Sequence, residues 1–140
     1  MKLTDQFDLS VLTHSDTAAR LRIDNTPDDA AKANLRLLYD NVLLPLVKAL
    51  PGELNITNAF RCNKLNATVK GKPTSQHVKG MAADVEYREH GMENNRKIVE
   101  AIKANGIEFD QCIEENGPTG WIHVSYNQGK NRNQFLKMTV

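Results

Sequence analysis

The sequence predicts an α+β domain, a small and mainly antiparallel sheet with helices packed on it, and three observations carry that reading. A helical period dominates the first third of the chain. Strand-like alternation appears at Leu54–Phe60 and again at Gly80–Tyr87. Two more alternating runs then flank the loop Asn116-Gly117-Pro118-Thr119-Gly120. A chain of 140 residues suits one hydrophobic core, so one domain over residues 1–140 is expected.

In order, Phe7 to Leu21 reads as a short ordered lead-in, with Ser15 capping one or two helical turns through Leu21. Thr26-Pro27-Asp28-Asp29 is a helix start. Thr26 is the expected cap, Pro27 suits the first helical position, and the aspartates favour the positive end of the helix dipole. Leu35, Leu38, Val42, Leu46 and Ala49 recur at helical spacing and carry an amphipathic helix to about Leu50. Pro45 lacks a backbone donor and should kink it; Pro51-Gly52 ends it.

Leu54–Phe60 is expected to form a strand ending near Arg61, Asn63–Val69 a short helical turn, and Lys70–Gln76 a loop. In the strand Gly80–Tyr87 a period of two puts Ala82, Asp84 and Glu86 on one face and Met81, Ala83, Val85 and Tyr87 on the other. Asn94–Ala104 is a helix burying Ile98, Val99 and Ile102, with Gly106 suited to its C-terminal cap. Ile107–Glu115 and Trp121–Tyr126 should pair as a hairpin. A polar loop over Asn127–Gln134 and an edge strand over Phe135–Val140 complete the chain.

The composition, 40% hydrophobic and 25% charged, is that of a globular protein rather than a disordered one. A net charge of +1 gives no general attraction to nucleic acid or anionic membrane, so neither partner is expected. No apolar run is long enough to span a bilayer. The segment Met1-Lys2-Leu3-Thr4-Asp5 lacks the apolar stretch of a signal peptide, so the chain is expected to be made in the cytoplasm. Cys62 and Cys112 do not form a disulfide framework and read as free thiols. A monomer is expected.

The most informative segment is Ser75-Gln76-His77-Val78-Lys79-Gly80-Met81-Ala82-Ala83-Asp84. It places an imidazole on a loop and a carboxylate on the following strand, with Gly80 allowing a tight bend between them. A second imidazole, His123, lies in the run Trp121-Ile122-His123-Val124-Ser125-Tyr126. His77, Asp84 and His123 together make a zinc-type ligand set with a fourth position open, the pattern of a catalytic rather than a structural site. The plainer alternative is a surface histidine, an exposed carboxylate and a hydrogen-bonded strand histidine. A charge on a core strand argues against it, because an unpaired buried charge is costly. His14 and His90 read as exposed and non-ligating.

If the hairpin is symmetric, Glu115 pairs with Trp121 and Ile113 with His123. Gln111, Ile113, Glu115, Trp121, His123 and Ser125 then share a face, and Glu115 becomes the diagonal neighbour of His123. A carboxylate there can take a proton from water activated by a metal and pass it to a leaving group. Glu115 could equally be a solvated turn residue, and a register slip of one would move it to the opposite face. Asp110 is the backup candidate for the same role.

Ser-x-His-x-x-Gly-x-Ala-x-Asp, matched at Ser75, His77, Gly80, Ala82 and Asp84, and the later Trp-Ile-His-Val-Ser-Tyr resemble the zinc peptidases that cut bacterial cell-wall peptides. These include D-alanyl-D-alanine carboxypeptidases and dipeptidases and the L-alanyl-D-glutamate endopeptidases of phage lysins; Hedgehog signalling domains share the fold. The lead-in at Phe7–Asn25 resembles short phage and prophage members. The resemblance implies zinc held by His77, Asp84 and His123. It also implies Arg61 as a cation near substrate carboxylate or oxyanion, and Ser75 as a residue orienting the metal loop or substrate. Two departures stand out. The acid that many members carry three positions before the last histidine is replaced here by Gly120, which leaves Glu115 as the candidate. The segment Thr57-Asn58-Ala59-Phe60-Arg61-Cys62 has Asn58 and Cys62 where small residues are usual.

The expected function is zinc-dependent hydrolysis of peptidoglycan stem peptides by a lysin-type endopeptidase. Such an enzyme acts on the wall after release or as part of a virion. The alternatives are a D-alanyl-D-alanine carboxypeptidase and, from another class, a non-catalytic zinc-stabilised wall-binding or virion structural module.

Overall fold

The computed structural model describes residues 1–117 and 120–139. Pro118 and Thr119 of the expected hairpin loop and Val140 of the expected last strand lie outside the described residues.

Two short helices open the chain. Asp8 caps α1 (Leu9–Thr13), and Ser15 caps α2 (Asp16–Leu21) by accepting the Ala18 N–H at 3.1 Å. The cap of α3 (Asp29–Leu38) is Asp28, whose carboxylate accepts the Ala31 N–H at 2.8 Å, rather than the expected Thr26. Thr26 is instead drawn backward by the carboxylate of Asp24, which accepts both its N–H and its hydroxyl.

The helical run breaks where Pro45 requires it, but through a wider turn than a simple kink. Residues Tyr39–Leu43 form a π-turn that leads into α4 (Leu44–Ala49). The Leu44 N–H reaches back five residues to the Tyr39 carbonyl. Widening the helix relieves the clash between the Pro45 ring and the preceding turn, and absorbs the missing donor.

The strands β1 (Glu53–Asn58), β2 (Ala82–Glu89), β3 (Met92–Glu93), β4 (Gln111–Glu115), β5 (Trp121–Ser125) and β6 (Gln134–Met138) form one sheet in the order β1-β2-β5-β4-β6, with β3 on β2. The expected antiparallel character holds at every pairing except β4 with β6, which is parallel and makes the sheet mixed. The strand expected over Leu54–Phe60 stops at Asn58, after a bulge between Ile56 and Asn58. Beyond it, the N–H groups of Phe60 and Arg61 leave the ladder for the carbonyls of Leu12 and His77. β4 starts at Gln111 rather than Ile107.

Helices α5 (Asn63–Thr68) and α6 (Arg96–Ala104) fall where the sequence places them. Ile98, Val99 and Ile102 of α6 are buried, and Gly106 follows the helix in the left-handed region (φ 60°).

One face of the sheet makes the core. Leu54, Ile56, Ala83, Val85, Tyr87, Cys112, Ile122 and Val124 pack with Leu35, Leu38, Val42, Leu46, Ile98 and Ile102 in a single cluster. Each Val, Leu or Ile among them contributes about 1.5–3 kcal/mol on burial. The period of two then fixes what the opposite face carries: Asn58, Asp84, Ile113, Glu115, Trp121 and His123.

Candidate metal centre

The register across three strand pairs builds the site. Asn58 of β1 pairs with Asp84 of β2, Asp84 with His123 of β5, and His123 with Ile113 of β4, so four side chains stand in one row across the sheet. Residues directly opposite in a sheet have Cβ atoms about 4.5–5.5 Å apart, close enough for their side chains to converge.

The third ligand candidate arrives from outside the sheet. His77 sits on a 3₁₀ turn, Gln76–Lys79, rather than on an open loop. Ser75 caps this turn, its Oγ accepting the His77 N–H at 3.2 Å. The turn ends at Gly80, whose φ of 73° lies in the left-handed region. A Cβ at Gly80 would come within 2.5 Å of the Ala31 carbonyl, so the tight bend and the close approach of α3 both require glycine.

The ligand atoms of His77, Asp84 and His123 all lie within 4.8 Å of one another. His123 Nδ1 is 3.1 Å from Asp84 Oδ1, and His77 Nε2 is 3.4 Å from the same oxygen. Donors about 2.0–2.1 Å from a shared tetrahedral ion stand roughly 3.3 Å apart, so the spacing suits zinc. His77 Nδ1 is 2.6 Å from the Ala59 carbonyl, so a proton held there would free the Nε2 lone pair, on the Asp84 side, for a metal. Asn58 Nδ2 lies 3.4 Å from Asp84 Oδ2 and 3.4 Å from His77 Nδ1.

His77 is buried and Asp84 nearly so. In the metal-free site burial works to raise the Asp84 pKa, but hydrogen bonding to His123 and His77, and their charge when protonated, outweigh it and hold the carboxyl well below the usual range. The group is thus an anion at neutral pH, as a ligand must be. The site fits a divalent ion by donor chemistry and spacing.

A cleft of about 420 Å³ opens beside Asp84, between α2 and α5, and is lined by Thr57, Asn58, Arg61, Leu65 and Trp121 among others. Arg61 is half-buried there. Its Nη2 is 3.4 Å from Ser75 Oγ, and its Nε has no partner among the described residues. Burial lowers the Arg61 pKa, while the charges of Asp84 and Glu115 oppose the shift.

Glu115 pairs with Trp121 and Ile113 with His123, the register read from the sequence. Glu115 therefore shares the metal-site face, one diagonal from His123. Gly120 could not carry an acid in this conformation. A Cβ there would lie 1.8 Å from the Glu115 carbonyl oxygen, so the hairpin excludes every side chain at that position.

Asp110 lies elsewhere. Its fully buried carboxylate is taken up by Arg132 Nε at 2.8 Å and Nη2 at 3.0 Å and by Gln76 Nε2 at 2.8 Å. Those bonds, led by Arg132, pull its pKa down to about 2. His14, paired with Asp16, and His90 are both exposed. Cys62 and Cys112 are free thiols, and burial pushes that of Cys112 up to about 12.

The supporting residues were harder to find in the sequence than the ligands. Asn58 stands out only as an odd residue in a strand, and its alignment with Asp84 depends on the β1 bulge. The Ala59 carbonyl carries no side-chain signal at all.

No curated protein matches the chain. The family model described as Peptidase M15 matches residues 5–125, a span that holds His77, Asp84, His123, Arg61 and Glu115. The match covers most of the sequence and agrees with the resemblance carried by the Ser75–Asp84 motif: this chain belongs to the Peptidase M15 family.

Proposed function

We propose that the protein is a zinc-dependent peptidase that hydrolyses peptide bonds in peptidoglycan stem peptides, as the endopeptidases of phage lysins do. The observation that carries this reading is the convergence of His77, Asp84 and His123 on one face, with Glu115 on the same face and an open cleft beside them. A structural zinc site is closed by a fourth protein ligand, and no other histidine, cysteine or acid joins this cluster among the described residues.

Zinc bound there supplies Lewis acidity, polarising the scissile carbonyl and acidifying the attacking water. Glu115 takes the proton of that water and returns it to the leaving amine. Arg61 binds substrate carboxylate or the developing oxyanion through its guanidinium. Ser75 holds the turn of His77 and meets Arg61, and Asn58 keeps Asp84 oriented toward the two imidazoles.

The half-buried Arg61 also favours a second reading, a D-alanyl-D-alanine carboxypeptidase that binds a free C-terminal carboxylate. Digesting purified peptidoglycan with zinc-loaded protein and weighing the products separates the two. An endopeptidase releases peptide fragments from the glycan or its cross-links, whereas a carboxypeptidase releases free D-alanine alone. Release of neither fragments nor D-alanine after prolonged digestion by zinc-loaded protein would favour the non-catalytic module.

A further inference from the structure

Asp110 occupies a junction that the chemistry at zinc does not use. Its backbone N–H donates to the Ser125 carbonyl at 2.8 Å, two residues beyond His123 on β5. The next residue repeats the tie, the Gln111 N–H donating to Ser125 Oγ at 3.0 Å. Its side chain reaches the other way and accepts from Gln76 Nε2 at 2.8 Å, one residue before His77. Gln76 is also held at its main chain, where its carbonyl accepts the Met81 N–H at 3.0 Å. Residue 110 therefore touches the strand of one candidate ligand and the turn of another. Arg132, from the segment before β6, closes the arrangement with two guanidinium bonds and a backbone N–H at 3.1 Å to the same carboxylate.

A fully buried carboxylate with four donors is costly to assemble and is held in one orientation once assembled. Neither Asp110 nor its two partners, Gln76 and Arg132, line the cleft beside Asp84. Such a group has the geometry of an anchor rather than of a proton carrier.

We infer that Asp110 is a positioning residue for the metal centre: through Gln76 it fixes the His77 turn against the His123 strand, and Arg132 locks it in place. The inference rests on the zinc reading above and adds to it that the C-terminal segment helps set metal affinity. Residues beyond a metal's direct ligands that orient them commonly change affinity about 10–100-fold when removed. Gln76 acts one step further out, so the lower end applies.

The test is a zinc titration of the full chain against a competing chromogenic chelator, for wild type, Gln76→Ala, Asp110→Asn and the double variant. Thermal melts of the zinc-free proteins run alongside. Gln76→Ala leaves the Asp110–Arg132 pair intact, so its zinc-free melting point should stay close to wild type. Its zinc dissociation constant should nonetheless rise about tenfold. Asp110→Asn should lose affinity as well, and the double variant should lose little more than Asp110→Asn, because both remove the same link. Cobalt in place of zinc should show an altered visible spectrum in Gln76→Ala, since ligand geometry changes. Wild-type zinc affinity and cobalt spectrum in Gln76→Ala would overturn the inference while leaving the zinc site standing. A wild-type protein that binds no zinc would instead overturn the zinc reading, and this inference with it.

Discussion

Gly120 stands where the family resemblance would place an acid, and the hairpin geometry excludes one there. A Cβ at position 120 would meet the Glu115 carbonyl oxygen at 1.8 Å, its carbon at 2.9 Å and Asn116 Cβ at 3.0 Å. These atoms belong to the backbone or sit next to it, so no side-chain rotation relieves the contact. Overpacking of this kind costs about 1–3 kcal/mol. The Gly120 carbonyl also accepts from Asn95 Nδ2 at 2.8 Å, and the same buried Asn95 accepts the Tyr87 N–H. Shifting residue 120 would strand that amide at about 1–3 kcal/mol more. Gly120→Ala and Gly120→Glu should therefore each lose roughly 2–6 kcal/mol, a fall in Tm on the order of 10 °C. Urea denaturation with a thermal melt reads this directly, and the two variants should agree because the Cβ alone causes the clash. A Gly120→Ala protein as stable as wild type would refute the steric account. So would a Gly120→Glu change that restores hydrolysis to a Glu115→Gln protein.

Three further outcomes are expected. Glu115→Gln keeps size and hydrogen bonding but cannot take a proton, so wall hydrolysis should fall about 10²–10⁴-fold at unchanged zinc content; full activity would remove Glu115 from the mechanism. Arg61→Lys should retain zinc and lose about tenfold or more in kcat/KM, because an ammonium cannot copy a bidentate guanidinium contact; wild-type kinetics would count against a substrate role. Asp110 has a folded pKa lowered from 3.8 to about 2, so its ion pair stabilises the fold fully above about pH 4 and is lost as pH falls toward 2. The stability gap between wild type and Asp110→Asn should reach up to about 2 kcal/mol at neutral pH, with half-exposed Arg132 reducing it, and close near pH 2. A gap that does not change with pH would show that the charge of Asp110 is not what stabilises.

Much of the site was legible because it is written in periods and registers. Asp84 and His123 lie on alternating strands whose apolar partners had to face the core, and a symmetric hairpin fixed Glu115 relative to His123. The candidate metal ligands also include histidine, of which the chain has four, at restricted spacing. The parts that escaped depend on chain geometry that composition does not encode. The choice of Asp28 over Thr26 as a cap turned on the carboxylate of Asp24, two residues before Thr26. The π-turn before Pro45 and the bulge after Ile56 are local adjustments with no period. Asp110 looked like a spare acid because its partners, Gln76 and Arg132, are distant in sequence and carry no motif connecting them.

The central claim is that His77, Asp84 and His123 hold zinc for peptide hydrolysis of the bacterial wall. Its most direct test is the appearance of new amino groups in purified peptidoglycan treated with chelated and with zinc-restored protein, with reducing ends counted in the same digests. The account predicts new amino groups only when zinc is present, none from a His77→Ala protein, and no rise in reducing ends. New reducing ends without new amines, or amine release that persists after chelation and in His77→Ala, would contradict it.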